Sequence, residues 1–464
     1  MTAFSRRPPS RHLFPPRRRS GSLGLALPVL ALLTVVLTAC ASTPPPASVV
    51  TTVTAALAGD WNWQKQGSPM ALGVTHTQSS LDPEEPAAAR QSGEQILRTA
   101  DAGGWQNVHL MGFGTLNPEA SPGDYDWSSL DTRMKLVKDT GGKTVLTLCC
   151  SPDWMKGGAP GQTDWSQIEV APTPDHYDDF AALAAAAVKR YPQIQRVLVW
   201  NELKGFYDDS RNRWDFEAYT ALYNKVYTAV KAVRPDLPVG GPYIVLDSLD
   251  PGQNDGSDIS GQWGVADQRP LDVITYWLQH KVGADFLAVD GGTSTRQMTP
   301  PTSLREGAQK FADLDAWLKQ QTDLPIWWAE FYPDLPGGGD SAPNSPASAA
   351  ATLSALAAFA RSGAAGALLW GPQASRDLGY AALWTDSTKS GGGRATPLTA
   401  AWQWLVPRLA RGDVEIGYST TLPLVAFREG GSALVVNLTG DAVTVPKAAD
   451  PIPAWTSSIT SISS

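Results

Sequence analysis

From residue 69 onward, short apolar runs rich in β-branched residues alternate with helical patterns eight times over. This alternation limits the chain more than any other feature. The strand-like runs begin near Ala71, Asn107, Thr144, Arg196, Pro238, Asp285, Pro325 and Gly366, at intervals of roughly 40 residues. Helical patterns fill the gaps at 84–102, 128–140, 173–190, 271–281, 303–321, 347–361 and 397–410. Between the fourth and fifth strands Phe216, Tyr219, Leu222, Val226, Val230 and Val233 make an apolar stripe at steps of three and four. Asp126 or Ser128 is placed to cap the second helix, and Gly141-Gly142 to stop it. Strands that are apolar throughout and flanked by helices are buried on both faces, which predicts a parallel sheet. Eight even units without a phosphate-binding loop favour a closed (β/α)8 barrel of the α/β class, spanning 67–411, over an open doubly wound sheet.

Beyond residue 411 the texture changes. Runs at 413–418, 422–428, 432–438 and 442–446, with turns at Gly430-Gly431 and Gly440-Asp441, predict a small antiparallel β appendage over 412–464. Residues 48–57 are expected to add a strand to it. Asn437-Leu438-Thr439 matches a glycosylation sequon and reads as a turn.

The first 39 residues read as an export signal. Six of the 37 basic residues lie there (Arg6, Arg7, Arg11, Arg17, Arg18 and Arg19), with none of the 45 acidic ones. An apolar run at 23–37 follows, then Thr38-Ala39-Cys40. The run is short for a membrane-spanning helix. Leu37-Thr38-Ala39-Cys40 resembles the bacterial lipobox, which implies lipidation at Cys40 and an exported protein held at the outer side of the membrane. Residues 40–66 then form a tether.

Composition excludes several function classes. The net charge is −8, and after residue 39 the balance is 31 basic against 45 acidic residues, or −14; such a surface does not suit nucleic acid. The five histidines are scattered, and the three cysteines are Cys40 and the adjacent Cys149 and Cys150. No metal site, cofactor fingerprint or serine-nucleophile elbow emerges, so no metal and no cofactor are expected. In an exported protein Cys149 and Cys150 sit where oxidation is permitted. Either two thiols or a vicinal disulfide, an apolar plate beside a ligand, fits the sequence. Eighteen tryptophans exceed what core packing needs, and flat aromatic faces are what sugar rings stack on.

In such barrels chemistry sits at the C-terminal ends of the strands. The fourth strand ends Val199-Trp200-Asn201-Glu202 and the seventh Trp327-Trp328-Ala329-Glu330. Each glutamate closes an apolar run and should lie at the barrel mouth. Glycoside hydrolysis needs such a pair, one carboxyl giving a proton to the leaving oxygen and the other attacking the anomeric carbon. His76, closing the first strand, is a candidate for a sugar hydroxyl. His109, inside the second, reads as core. Trp154 follows the third strand and Trp370 ends the eighth, and both are candidates to bind the sugar. Tyr243 and Tyr332 are placed to orient Glu330 or rim the pocket, and Trp327 and Trp328 must point to opposite faces. Lys204 and Asp208 read as loop ion-pair partners.

Asn201-Glu202 with Glu330 resembles the clan A glycoside hydrolases, and within them family 39, the β-xylosidase and α-iduronidase group. Pro122-Gly123-Asp124-Tyr125-Asp126-Trp127-Ser128-Ser129-Leu130-Asp131 and Ser151-Pro152-Asp153-Trp154-Met155 are similar to that group as well. The resemblance covers about 69–411. It implies a retaining mechanism with Glu202 as acid/base, Glu330 as nucleophile, and Asn201 bonded to the sugar hydroxyl beside the anomeric carbon. It also implies Trp370 as the floor on which the sugar stacks. Glu202 is then expected to hold a proton, its pKa raised by the charge of Glu330. The chain departs from the group where Leu203-Lys204-Gly205-Phe206 replace a Pro-Asn continuation. It departs again where Val289-Asp290-Gly291-Gly292 ends the sixth strand, so Asp290 is expected to take a binding role. The expected partner is an oligo- or polysaccharide. The alternatives are a non-catalytic glycan-binding lipoprotein and a transglycosylase on the same barrel.

Overall fold

The computed structural model describes residues 47–338, 342–375 and 381–462. The expected export signal and the expected lipidation site at Cys40 lie outside them. Eight parallel strands close into a barrel: Ala71–Thr75, Trp105–His109, Lys143–Leu148, Ile194–Val199, Val239–Val245, Phe286–Asp290, Ile326–Trp328 and Gly366–Trp370. The eighth pairs with the first, Gly366 opposite Ala71 and Trp370 opposite Thr75. The eight expected strands are all present.

Alternation along each strand sorts the side chains into two layers. Val145, Leu198, Phe286, Ala288, Trp327, Ala329 and Leu368 cluster together with Tyr243, and they fill the lumen. Leu146, Leu148, Val197, Val199, Leu287, Val289 and Trp328 join the cluster formed with the surrounding helices. Trp327 and Trp328 thus face opposite ways, and both are core. Glycines make room for the large lumen residues. A Cβ on Gly240 would stand 2.4 Å from the Phe286 ring, and one on Gly366 2.5 Å from that of Trp327. Arg196 lies over Trp105, Phe286 and Trp327, 4.6 Å from the Trp327 centroid, a cation on an aromatic box.

Helices lie where the periodicity puts them, including Ser128–Asp139, Tyr177–Arg190, Phe216–Val233, Gln268–His280, Leu304–Gln321, Pro346–Ser362 and Thr399–Arg411. The Asp126 side chain accepts from the Ser128 amide at the start of the second barrel helix. Pro346–Ser362 is alanine-rich and buried from Ala347 to Ala360. A helix apolar all round needs cover on every side, and the appended sheet supplies part of it. Gln64 donates to the Arg361 carbonyl at 3.1 Å, and Arg361 to the Asn62 carbonyl at 3.1 Å. Barrel and sheet belong to one compact unit.

The sheet runs Trp61–Lys65, Glu415–Ser419, Leu424–Glu429, Ser432–Asn437, Ser457–Ser461, antiparallel throughout. Three of its strands match expectation and two placements do not. Ala47–Leu57 is a helix, although it is rich in valine and threonine. Val49, Val53 and Ala56 recur at helical spacing and pack on Leu424, Ala426 and Val435, so tertiary burial overrides strand propensity. Residues 442–446 form no strand, only the bridge of Val443 with Ile452. Pro446, Pro451 and Pro453 lack the amides a ladder needs. Asn437 is buried and accepts from the Thr439 amide at 3.0 Å, a turn as read.

Cys149 and Cys150 are joined in a disulfide. Both are wholly buried and belong to the main apolar cluster, so they present no plate to a ligand. Thiol counting checks the pairing. Denatured Cys40→Ala protein should give no free thiol before reduction and two after it. Two thiols without reductant would contradict the bond.

Candidate active site

The fourth strand stops at Val199, and the backbone then turns through left-handed conformations at Trp200 (φ 71°), Glu202 (φ 50°) and Leu203 (φ 47°). Such geometry costs a non-glycine residue about 1–3 kcal/mol and persists where the surroundings enforce it. Trp200 supplies that enforcement. It is fully buried, meets Phe180 and Phe206 edge to face, and donates its indole N–H to the Lys204 carbonyl at 2.8 Å. Between Trp200 and Glu202, Asn201 is buried, and its Oδ1 accepts from His109 Nε2 at 3.2 Å. Burial lowers the His109 pKa to about 4, with Lys204 adding to the effect, so the ring is neutral and fixes the Asn201 amide.

Glu330 follows the seventh strand and is 2% exposed. Tyr243 donates to its Oε1 at 2.6 Å, and Tyr332 donates to Oε2. Tyr243 reaches it from the fifth strand with φ 55°, another left-handed residue at the barrel top. Burial, with Glu330 adding, holds both phenols well above their ordinary pKa, so they stay donors. The Glu330 carboxyl is pushed up to about 8, first by burial and then by Glu202, against the two tyrosines and Lys204.

Asp290 ends the sixth strand and is fully buried. Oxygens of Glu202, Asp290 and Glu330 lie within 4.8 Å of one another, and the cation beside them is the Lys204 ammonium, 3.0 Å from Glu202. The structure therefore brings together Glu202, Glu330, Asp290, Tyr243, Tyr332 and, through His109, Asn201. Trp370, half-buried at the end of the eighth strand, stands edge to face with His109 (5.5 Å) and Phe113 (5.4 Å), forming an aromatic wall.

Three expectations are corrected. His76 is 1% exposed, and its ring nitrogens bond Ser80 and Gln106, each at 2.9 Å. Both are used within the protein, which leaves neither for a sugar hydroxyl. Trp154 is buried in the main apolar cluster, spends its indole N–H on the Glu119 carbonyl at 2.9 Å and meets His176 edge to face, so it fixes a loop and offers no open face to a sugar. Lys204 does not pair with Asp208, which binds Arg211 and Ser210. Lys204 Nζ lies 3.0 Å from Glu202 and 2.8 Å from Glu169. An ammonium beside Glu202 favours its carboxylate, against the pull of the neighbouring Asp290 and Glu330 oxygens.

His109, Lys204, Glu169 and Phe113 are the members that sequence reasoning missed. For the histidines a signal existed in strand parity. His76 shares a face with Leu72 and Val74, which join the helix-side cluster, whereas His109 shares one with Asn107, which bonds Thr75 and Thr147.

No family model matches the chain, and no curated protein does. Solved structures do. The monomeric β-xylosidase from Caulobacter crescentus is 16% identical, with 83% of this chain and 77% of that one covered at a TM-score of 0.53. The family 39 glycoside hydrolase from Xanthomonas axonopodis pv. citri is 15% identical, with 80% and 73% covered at 0.52. A conserved exported protein from Bacteroides fragilis is 11% identical, with 86% and 96% covered at 0.55. At these identities the likeness is one of architecture, and the fold of this chain is that of the family 39 enzymes among the clan A glycoside hydrolases.

Proposed function

We propose that this protein is an exported, lipid-anchored retaining glycoside hydrolase that cleaves O-glycosidic bonds in an oligo- or polysaccharide. The observation that carries the reading is the meeting of Glu202 and Glu330 at the mouth of the barrel, with oxygens within 4.8 Å. Retaining enzymes hold their carboxyls about 5–5.5 Å apart and inverting ones about 6.5–9.5 Å, so the spacing favours retention.

In this reading Glu330 attacks the anomeric carbon, while Glu202 gives its proton to the leaving oxygen. Tyr243 holds one oxygen of Glu330 and Tyr332 the other, which leaves lone pairs for the attack. Ester formation removes the Glu330 charge. Glu202, now a carboxylate, takes a proton from water as that water attacks the same carbon. Asn201, held by neutral His109, meets the hydroxyl beside that carbon, Asp290 meets another, and Trp370 supports the ring. A panel of aryl glycosides and polysaccharides tests the activity, with the anomer released first followed by NMR. Release of the same anomer supports the reading. Inversion, or no turnover with retained glycan binding, sinks it. Transfer to added alcohols in preference to water would favour the transglycosylase.

The anchor has its own test. Lipid chains buried in a bilayer would hold an acidic barrel there. Cys40→Ala should shift the protein from the membrane fraction to the soluble one. Wild type recovered wholly in the medium would refute anchoring.

A further inference from the structure

Leu203, Lys204 and Gly205 determine what Glu202 meets. Leu203 is fully buried and pins the loop. Gly205 (φ 79°) lets that loop lie against the segment that carries Glu169. A Cβ at Gly205 would stand 2.4 Å from the Ala171 nitrogen and 2.5 Å from the Glu169 carbonyl oxygen. This close approach sets Lys204 between two carboxylates, 2.8 Å from Glu169 and 3.0 Å from Glu202, with its ammonium 5.4 Å from the Phe113 centroid. Burial opposes the lysine charge, but Glu202 and Glu169 outweigh it and hold the pKa above the ordinary lysine value.

We propose that Lys204 is a positioning residue that Glu169 holds against Glu202, that it keeps Glu202 ionised in the substrate-free site, and that Glu202 becomes the acid only when Lys204 releases it. The groups facing Glu202 are Lys204 on its own loop, Asp290 at the end of the sixth strand, Glu330 and Tyr332 beyond the seventh, and Tyr243 on the fifth. Glu169 lies behind the lysine. Asp290 and Glu330, where ionised, would drive a proton onto Glu202, and Lys204 opposes them. In the resting site the proton shared by the pair then sits on Glu330. A leaving group that displaces the ammonium lets the same proton pass to Glu202, which frees Glu330 as the nucleophile.

Only the release step rests on the glycosidase reading, because the resting ionisation needs no substrate. The full chain labelled with glutamate carboxyl carbon-13 is titrated by NMR, and Glu202 is assigned by its loss in Glu202→Gln. In Lys204→Met the Glu202 titration should move up by about one to three pH units, the range by which a neighbouring cation shifts a carboxyl. Lys204→Arg should restore it towards wild type. If Lys204→Met does not fold, Lys204→Gln keeps the polar length and removes the charge. An unchanged Glu202 titration in the neutral variant, or an equal rise in Lys204→Arg, overturns the proposal. On substrate, the alkaline limb of kcat/KM should move up with the carboxyl. A carboxyl that moves while no glycoside is turned over would leave the resting ionisation standing and count against the glycosidase reading alone.

Discussion

Glu330→Ala is expected to lose turnover on every glycoside, whatever the leaving group, by on the order of 10⁶-fold, the scale seen when a hydrolase loses its nucleophile. The loss falls on bond formation at the anomeric carbon, a step every substrate shares. The variant should fold, because the barrel does not depend on this carboxyl, although Tyr243 and Tyr332 lose their acceptor. Glu330→Gln keeps an acceptor and should be as inactive. The cavity left by alanine admits a small anion. Added azide should therefore attack activated aryl glycosides in one displacement and give a glycosyl azide of inverted configuration. Steady turnover of ordinary substrates by Glu330→Ala would remove it from the nucleophile's place.

Glu202→Ala should divide substrates by their leaving groups. General acid catalysis contributes about 10²–10⁴-fold, and that loss falls on sugars and alkyl alcohols that leave poorly. Activated aryl groups leave without a proton, so the ester on Glu330 still forms. Its hydrolysis is then slow for want of a base. Azide, which needs none, should accelerate it and give a glycosyl azide of retained configuration. The pH profile carries a second signature. In the wild type the carboxyl pair loses its shared proton as pH rises through about 8, and kcat/KM should fall there. Glu202 raises the Glu330 pKa, so without it Glu330 ionises at lower pH, and no acid remains whose loss would depress the alkaline side. Equal loss for all leaving groups, with no azide product, would take the acid/base role from Glu202.

The barrel could be read from the chain because eight strands buried on both faces leave long apolar runs, and helices between them leave a different period. The two glutamates could be read for the same reason, since each ends such a run. The appended sheet was harder. Val49, Val53 and Ala56 suit a strand by composition and a helix by spacing, and only their packing on Leu424 and Val435 decides between the two. His76 and His109 differ by which face of a strand they share, a distinction the parity of Leu72, Val74 and Asn107 carries. Lys204 was beyond reach. Its partner Glu169 lies on a separate loop, and the two meet because Gly205 admits a close backbone approach that no local pattern announces.

The pairing of Trp61–Lys65 with Glu415–Ser419 joins segments about 350 residues apart in the chain. Closing so long a loop adds little to the free-energy cost, which grows only with the logarithm of length, but it fixes an order of events. The first strand of the sheet is made before any of its neighbours exists. Trp61 and Trp63, stacked in the folded protein with centroids 5.2 Å apart, lie on a segment that has no sheet partner until Glu415–Ser419 is made. Unpaired edges are where chains associate wrongly. A product cut short before Glu415 would contain every barrel strand and both glutamates, yet leave that edge open and the alanine-rich helix uncovered on one side. Quality control during synthesis would then act on Glu415–Ser419 and the strands after it, remote from the chemistry.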